Sequence, residues 1–256
     1  MGTGPVLQTR GLSKSFGAIQ ALDSVDLDVH EGEVVALVGD NGAGKSTLVK
    51  CVSGVHTPTS GTILLDGVEL NLGGPGDARM LGIETVYQDL ALVEELDVAG
   101  NFFLGKEEFK AGALGRFFGI LDLASMRAQA ETAIRDLHVR IPDVRQPVER
   151  MSGGQRQGVA IGRSVFWGRR LLILDEPTAA LGVDQSEEVL SIIERLVEST
   201  QLAVLLISHN MQDVLRVAHR TVVLRQGRKT ADLVTKNTTS QEIVGHITGA
   251  LEPTAP

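Results

Sequence analysis

A glycine-rich loop that closes on Lys-Ser is where residue types and spacing in this sequence first add up to chemistry. Gly39, Asp40, Asn41, Gly42, Ala43, Gly44, Lys45, Ser46 and Thr47 follow an apolar run at residues 34–38 and lead into Leu48-Val49-Lys50-Cys51-Val52. A buried strand, a loop and then a helix is the context that a phosphate cradle needs. Gly39, Gly42 and Gly44 let the backbone curl around an anion, so that the N–H groups of the loop, with Asn41 inside it, and the positive end of the helix converge on phosphate oxygens. Lys45 would reach the β- and γ-phosphates. Ser46 would place its hydroxyl on a magnesium ion bridging the same phosphates, with Thr47 close behind.

Two further clusters suit the same chemistry. The apolar residues 171–174 run into Asp175 and Glu176, and in open α/β sheets ligands gather at the carboxyl ends of the strands. Asp175 would hold magnesium opposite Ser46, and Glu176 would orient and deprotonate an attacking water as general base. Alone, Asp-Glu-Pro reads better as a solvated cap on a strand; beside the Lys45 loop that reading loses its advantage and the magnesium reading is preferred. The second cluster is Ser152-Gly153-Gly154-Gln155, ahead of a predicted helix with Ser152 at its N-cap. The helix end, the glycine N–H groups and the Ser152 hydroxyl would make another phosphate-recognising surface. Cys51, the single cysteine, excludes an internal disulfide and is read as core. The six histidines lack metal-site spacing, so magnesium carried by the nucleotide is the metal expected.

The elements that must position these residues alternate. Leu22, Val25, Leu27 and Val29 suggest a half-buried strand, residues 62–65 another, and Asp66-Gly67 a hairpin turn. A short helical stretch at 77–81 and a strand at 83–87 follow. From about 97 to 140 the spacing turns helical, with Leu121, Leu123, Met126, Ala130, Ile134 and Leu137 on one apolar face. Gly112, Gly115 and Gly119 interrupt that stretch, so 106–119 reads as loop or broken helix. The second half alternates strand and helix at 171–174, 185–199, 202–207, 210–218 and 221–225, ending in a helix at 240–248, which implies parallel strands with crossover helices. With 43% apolar and 22% charged residues and a net charge of −8, the chain has the balance of a soluble globular protein and a poor one for nucleic acid. No apolar run reaches the roughly 18 residues of a membrane span, and the N-terminus lacks a signal-like segment, so a cytoplasmic location is expected.

In the order and spacing of these motifs the chain resembles the ATP-binding subunit of an ATP-binding-cassette (ABC) transporter. The resemblance matches the Walker A loop to residues 39–47, the Walker B strand to 171–176 and the signature Leu-Ser-Gly-Gly-Gln to Met151–Gln155, with Met151 in place of leucine. It further implies that Gln88, after Val86-Tyr87, touches magnesium and water, that His209, after Ile207-Ser208, contacts the γ-phosphate, and that Phe16 stacks on adenine. The fold it implies is α/β: a P-loop cassette with an antiparallel β-rich subdomain and an inserted helical subdomain. The boundaries expected are 1–88 and 166–256 for the nucleotide-binding core with its β subdomain, and 89–165 for the helical subdomain.

The resemblance implies a head-to-tail homodimer, each ATP lying between the Lys45 loop of one subunit and residues 152–155 of the other. It implies membrane permease subunits as partners and, through them, an extracytoplasmic sugar-binding protein, with the cassette peripheral on the cytoplasmic face of the inner membrane. Residues 88–92, 101–105, 176–183 and 208–211 are similar to ribose-, xylose- and fructose-type sugar importers, many of which carry two cassettes where this sequence has one. One position departs from the pattern: Gly182 stands where the family commonly has aspartate. A cassette ATPase acting on DNA or ribosomes and a nucleotide-gated clamp without useful turnover are the alternatives. The first would bring tandem cassettes or long coiled-coil insertions, neither of which is present, and Glu176 and His209 argue against the second.

Overall fold

The computed structural model describes residues 4–112 and 118–254, which fall into two compact units. The first runs up to Tyr87, resumes over Gly168–Pro177 and continues from Ile193 onward. It opens with β1 (Leu7–Phe16), β2 (Ile19–Val29), β3 (Val34–Gly39), α1 (Lys45–Val52), β4 (Ser60–Leu65), β5 (Val68–Glu69), α2 (Pro75–Met80) and β6 (Ile83–Val86). Among the described residues, one antiparallel sheet has the order β2-β1-β4-β5.

β1 is the element whose alternation is hardest to read. Leu7, Thr9 and Leu12 are all buried although Leu12 is out of step with the other two. The pairing of β1 with β2 shifts between Thr9 and Leu12, around Gly11 at φ +55°, and this bulge returns Leu12 to the buried face.

The unit continues with β7 (Leu171–Asp175), a second sheet strand that pairs with β6, and after the intervening chain with β8 (Ala203–Ile207), β9 (Arg220–Arg225) and β10 (Arg228–Val234). The second sheet has the order β10-β9-β3-β8-β7-β6, parallel except for the β10–β9 pair. Val34 to Val38 of β3 are all buried because both faces of a central parallel strand are covered. Val35 and Leu37 pack with Leu22, Leu27, Leu48 and Val49, whereas Ala36 and Val38 pack with Val214, Val223 and Ile243, as the two-residue period of a strand requires. The strand that feeds the glycine loop is thereby held from both sides.

The second unit comprises Gln88–Trp167 and Thr178–Ile192. It contains α3 (Val98–Phe102), α4 (Leu123–Asp136), α5 (Gly153–Trp167) and the first half of α6 (Val183–Thr200). The sequence predicts a helical subdomain over 89–165. The unit also takes in Thr178–Ile192, where Leu181 and Gln185 come so close to Gly153 that a Cβ there would lie 2.6 Å from Leu181 Cδ2 and 2.9 Å from Gln185 Oε1. Asp97 and Asp122 cap α3 and α4 by accepting from the N–H groups of Gly100 (2.7 Å) and Ser125 (3.1 Å).

Within α4, Met126, Ala130 and Ile134 are buried as expected, and Leu137 just after it. Leu121 and Leu123 are not: Leu121 precedes the helix in an isolated bridge with Phe109, and Leu123 at the first helical position is 49% exposed. The helical period therefore extends to Met126 and no further back, since the Asp122 cap ends it. Gly115 lies outside the described residues. The chain completes the first unit with α7 (Met211–Val217) and α8 (Ser240–Thr248). Among the described residues no helix is long and apolar enough to cross a membrane.

Candidate nucleotide site

In the first unit the loop between β3 and α1 takes its shape from three glycines at φ +152° (Gly39), +79° (Gly42) and +106° (Gly44). A side chain at Gly39 would strike the Leu224 carbonyl oxygen of β9, and one at Gly44 would come within 2.6 Å of the Ala21 carbonyl oxygen. At Gly42 a Cβ would meet nothing within 4 Å, so conformation alone demands glycine there. The hairpin turn between β9 and β10 braces the loop from behind: Gly227 N–H donates to Ala43 O at 3.0 Å, and Gly227 O accepts from Asp23 N–H at 2.8 Å.

Lys45 donates to the carbonyls of Gly39 (2.7 Å) and Asp40 (3.0 Å), and Asn41 N–H donates to Asp40 Oδ1 at 2.8 Å. Burial pulls the Lys45 ammonium below the usual lysine range, while Glu176, Asp40 and Asp175 pull the other way. Ser46 is exposed and Thr47 half-buried. No side chain caps the N-terminus of α1, so its leading N–H groups remain available to an anion.

At the carboxyl end of β7, burial first and the negative charge of Glu176 second push the Asp175 carboxyl above the usual aspartate range, with Lys45 and Lys50 opposing. Glu176 sits at φ +53°, a conformation disfavoured for a side chain of its kind. Its N–H donates to Ile207 O at 2.9 Å, and its carboxylate Oε2 lies 2.7 Å from Nδ1 of His209. His209 follows β8 directly. Buried Ser208 accepts from the Asn210 N–H at 3.0 Å, and Asn210 caps α7 by accepting from the Gln212 N–H at 3.0 Å, so the exposed imidazole is presented from a fixed backbone. Phe16, 45% exposed at the end of β1, packs edge-on against His56 at 5.1 Å with Lys14 Nζ 5.1 Å from its ring centre.

The first unit thus assembles Lys45, Ser46, Asp175, Glu176 and His209 on the ends of β3, β7 and β8. These residues fit magnesium-bound nucleotide: an uncapped helix start and an open glycine suit phosphate, and two adjacent carboxylates, one resisting ionisation, suit a divalent cation.

The second unit carries the rest. Ser152 and Gln155 form a reciprocal capping box at the start of α5, with Gln155 N–H donating to Ser152 Oγ at 3.2 Å and Ser152 N–H donating to Gln155 Oε1 at 3.0 Å. Gln155 also donates from Nε2 to Arg140 O at 2.8 Å. The Ser152 hydroxyl keeps its own proton for another acceptor. Gly153 lines a cavity of about 380 Å³ together with exposed Gln88 and Asp89 and half-buried Arg156, Leu181 and Gln185, so Gln88 and the start of the signature helix face one cavity of this unit. A Cβ at Gly182 would meet nothing within 4 Å, so packing does not dictate the glycine at this position.

This fold and this loop define a P-loop nucleotide-binding cassette. Residues 22–179 match the family model described as ABC transporter. The fructose import ATP-binding protein FrcA of Rhizobium meliloti is 46% identical over 250 residues, covering 97% of this chain and 96% of that protein. The xylose/arabinose import ATP-binding protein XylG of Sulfolobus acidocaldarius is 44% identical over 223 residues, covering 87% and 86%. A solved dimeric ATP-binding cassette in a post-hydrolysis state with ADP and phosphate superposes with a TM-score of 0.72 at 22% identity, covering 90% of this chain and 99% of that one. The chain belongs to the ABC transporter family, as an ATP-binding and ATP-hydrolysing cassette.

Proposed function

We propose that this cassette powers import of a sugar through membrane permease subunits, working as a homodimer on the cytoplasmic face of the membrane. Similarity to the fructose and xylose/arabinose import proteins over nearly the full length of each supports the substrate class, and the dimeric solved cassette supports the assembly. A sugar-binding protein outside the membrane would deliver the substrate to the permease.

The observation that carries the catalytic part is the pair of Glu176 and His209, joined at 2.7 Å beside Asp175. Lys45 and the loop N–H groups bind the β- and γ-phosphates, Ser152 to Gln155 of the second subunit bind the γ-phosphate from the other side, and Phe16 stacks on the adenine. Ser46, Asp175 and Gln88 would hold magnesium, which supplies charge neutralisation on the phosphates. Glu176 takes a proton from water as the water oxygen bonds to the γ-phosphorus and the bond to the ADP oxygen breaks. His209 Nδ1, 2.7 Å from Glu176 Oε2, orients that carboxylate.

Deleting the gene for this chain should abolish uptake of one pentose or hexose, and the wild-type chain should restore it. A Glu176→Gln chain should not. Uptake of every sugar unimpaired, with loss of an amino acid or a metal instead, would refute the sugar assignment and leave the ATPase standing.

A further inference from the structure

Immediately after Gln88 and Asp89, two successive residues, Leu90 and Ala91, occupy left-handed backbone at φ +59° and +46°. A single such residue with a Cβ is uncommon, and two in a row with a bulky leucine need support from outside the turn. Arg163 of α5 supplies it. Its Nη1 donates to Ala91 O at 2.7 Å and its Nη2 to Leu90 O at 3.0 Å, so one planar guanidinium spans both carbonyls that the turn leaves exposed. An ammonium group lacks that fixed fork.

The grip continues along the same helix. Arg156, seven residues earlier and therefore on the same face, reaches Glu94 Oε1 with Nη1 at 3.3 Å. Between these points the fully buried Asn101 accepts from Val93 N–H at 2.8 Å and donates back to Val93 O at 3.0 Å. Residues 90–94 are thus fastened to a helix whose first turn is the Ser152 to Gln155 capping box, about 15 Å along the axis from Arg163 at 1.5 Å per residue.

We propose that Arg163 is a positioning residue for ATP hydrolysis: by locking the Leu90–Ala91 turn to α5 it sets the place of Gln88 and makes Gln88 and the signature stretch move as one body. The proposal rests on the reading that Gln88 acts on the bound nucleotide. Movement of the signature helix would then carry Gln88 with it, so that in a head-to-tail dimer a chain brings Gln88 to its own nucleotide site and its signature stretch to its partner's together or not at all.

The test uses the purified full chain with Arg163→Lys, Gln88→Ala and the double variant, each measured for kcat, KM for ATP and thermal midpoint. Gln88→Ala is expected to lower kcat about tenfold or more, and Arg163→Lys about fivefold with KM changed less than about twofold. The double variant should be no slower than Gln88→Ala alone, because a displaced Gln88 has nothing left to lose. An unchanged kcat for Arg163→Lys, a double loss equal to the product of the single losses, or a fall in kcat that follows unfolding would each overturn the clamp. If Gln88→Ala itself keeps full kcat, the reading of Gln88 fails and the proposal falls with it, whereas a neutral Arg163→Lys beside a crippled Gln88→Ala strikes the clamp alone.

Discussion

Asp175 shows how the site sets function against stability. Its carboxyl is held above the usual aspartate range by burial and by the charge of Glu176, so the folded chain holds that proton more tightly than the unfolded chain does. As pH rises past the folded value, the folded state carries a charge it disfavours, and the stability deficit is then fully present; below the unfolded value of about 3.9 it vanishes. Asp175→Asn should therefore raise the thermal midpoint of the nucleotide-free protein at neutral pH, with a gain that shrinks as the pH falls toward 4 or so, while magnesium-dependent turnover is lost. A lower midpoint for the Asn variant at neutral pH would show that the carboxylate is stabilised where it stands. The residue types of this site were legible in the sequence because Lys45, Asp175 and Glu176 lie next to strands that announce themselves by apolar runs. The Glu176–His209 bond was not, since it joins residues 33 positions apart that meet through the parallel pairing of β7 and β8.

At the scale of elements, close approach within the helical unit depends on glycines on α5. A Cβ at Gly158 would stand 2.6 Å from Val139 Cγ1, and one at Gly162 would stand 3.0 Å from Phe102 Cζ. Gly158→Leu should cost about 1–3 kcal/mol through overpacking, read as a fall in the denaturation midpoint, and an undiminished midpoint would show that α5 can move away from Val139 freely. The helices and strands of the second half were legible because each apolar run is bounded by turn residues or capping polar groups, as at Asn210 and Thr239. β1 was missed because the bulge at Gly11 shifts its period, and Leu121 was misplaced because the Asp122 cap that starts α4 looks like one more polar residue on a helical face. The left-handed turn at Leu90–Ala91 left no mark at all: neither residue is glycine or asparagine, and what makes the turn possible is an arginine 72 positions away.

At the scale of the whole molecule the P-loop and the signature stretch lie in different units of the chain, and the proposed function joins them across two copies. The family, the α/β fold and the ATP-hydrolysing activity could be read from motif order, because the cradle, the acidic strand end and the capped Gly-Gly helix each carry a physical requirement that few sequences meet together. The transported molecule could be read only by likeness, since a cassette does not touch it. The claim on which the account turns is that Glu176 is the base of a site that two copies complete, and it is tested most directly by loading Glu176→Gln with labelled ATP and magnesium and measuring mass and nucleotide content together by size-exclusion chromatography with light scattering. The account predicts a dimer retaining intact ATP, with turnover lowered about 100-fold or more. A Glu176→Gln chain that hydrolyses ATP at the wild-type rate, or that holds ATP as a monomer, would contradict it.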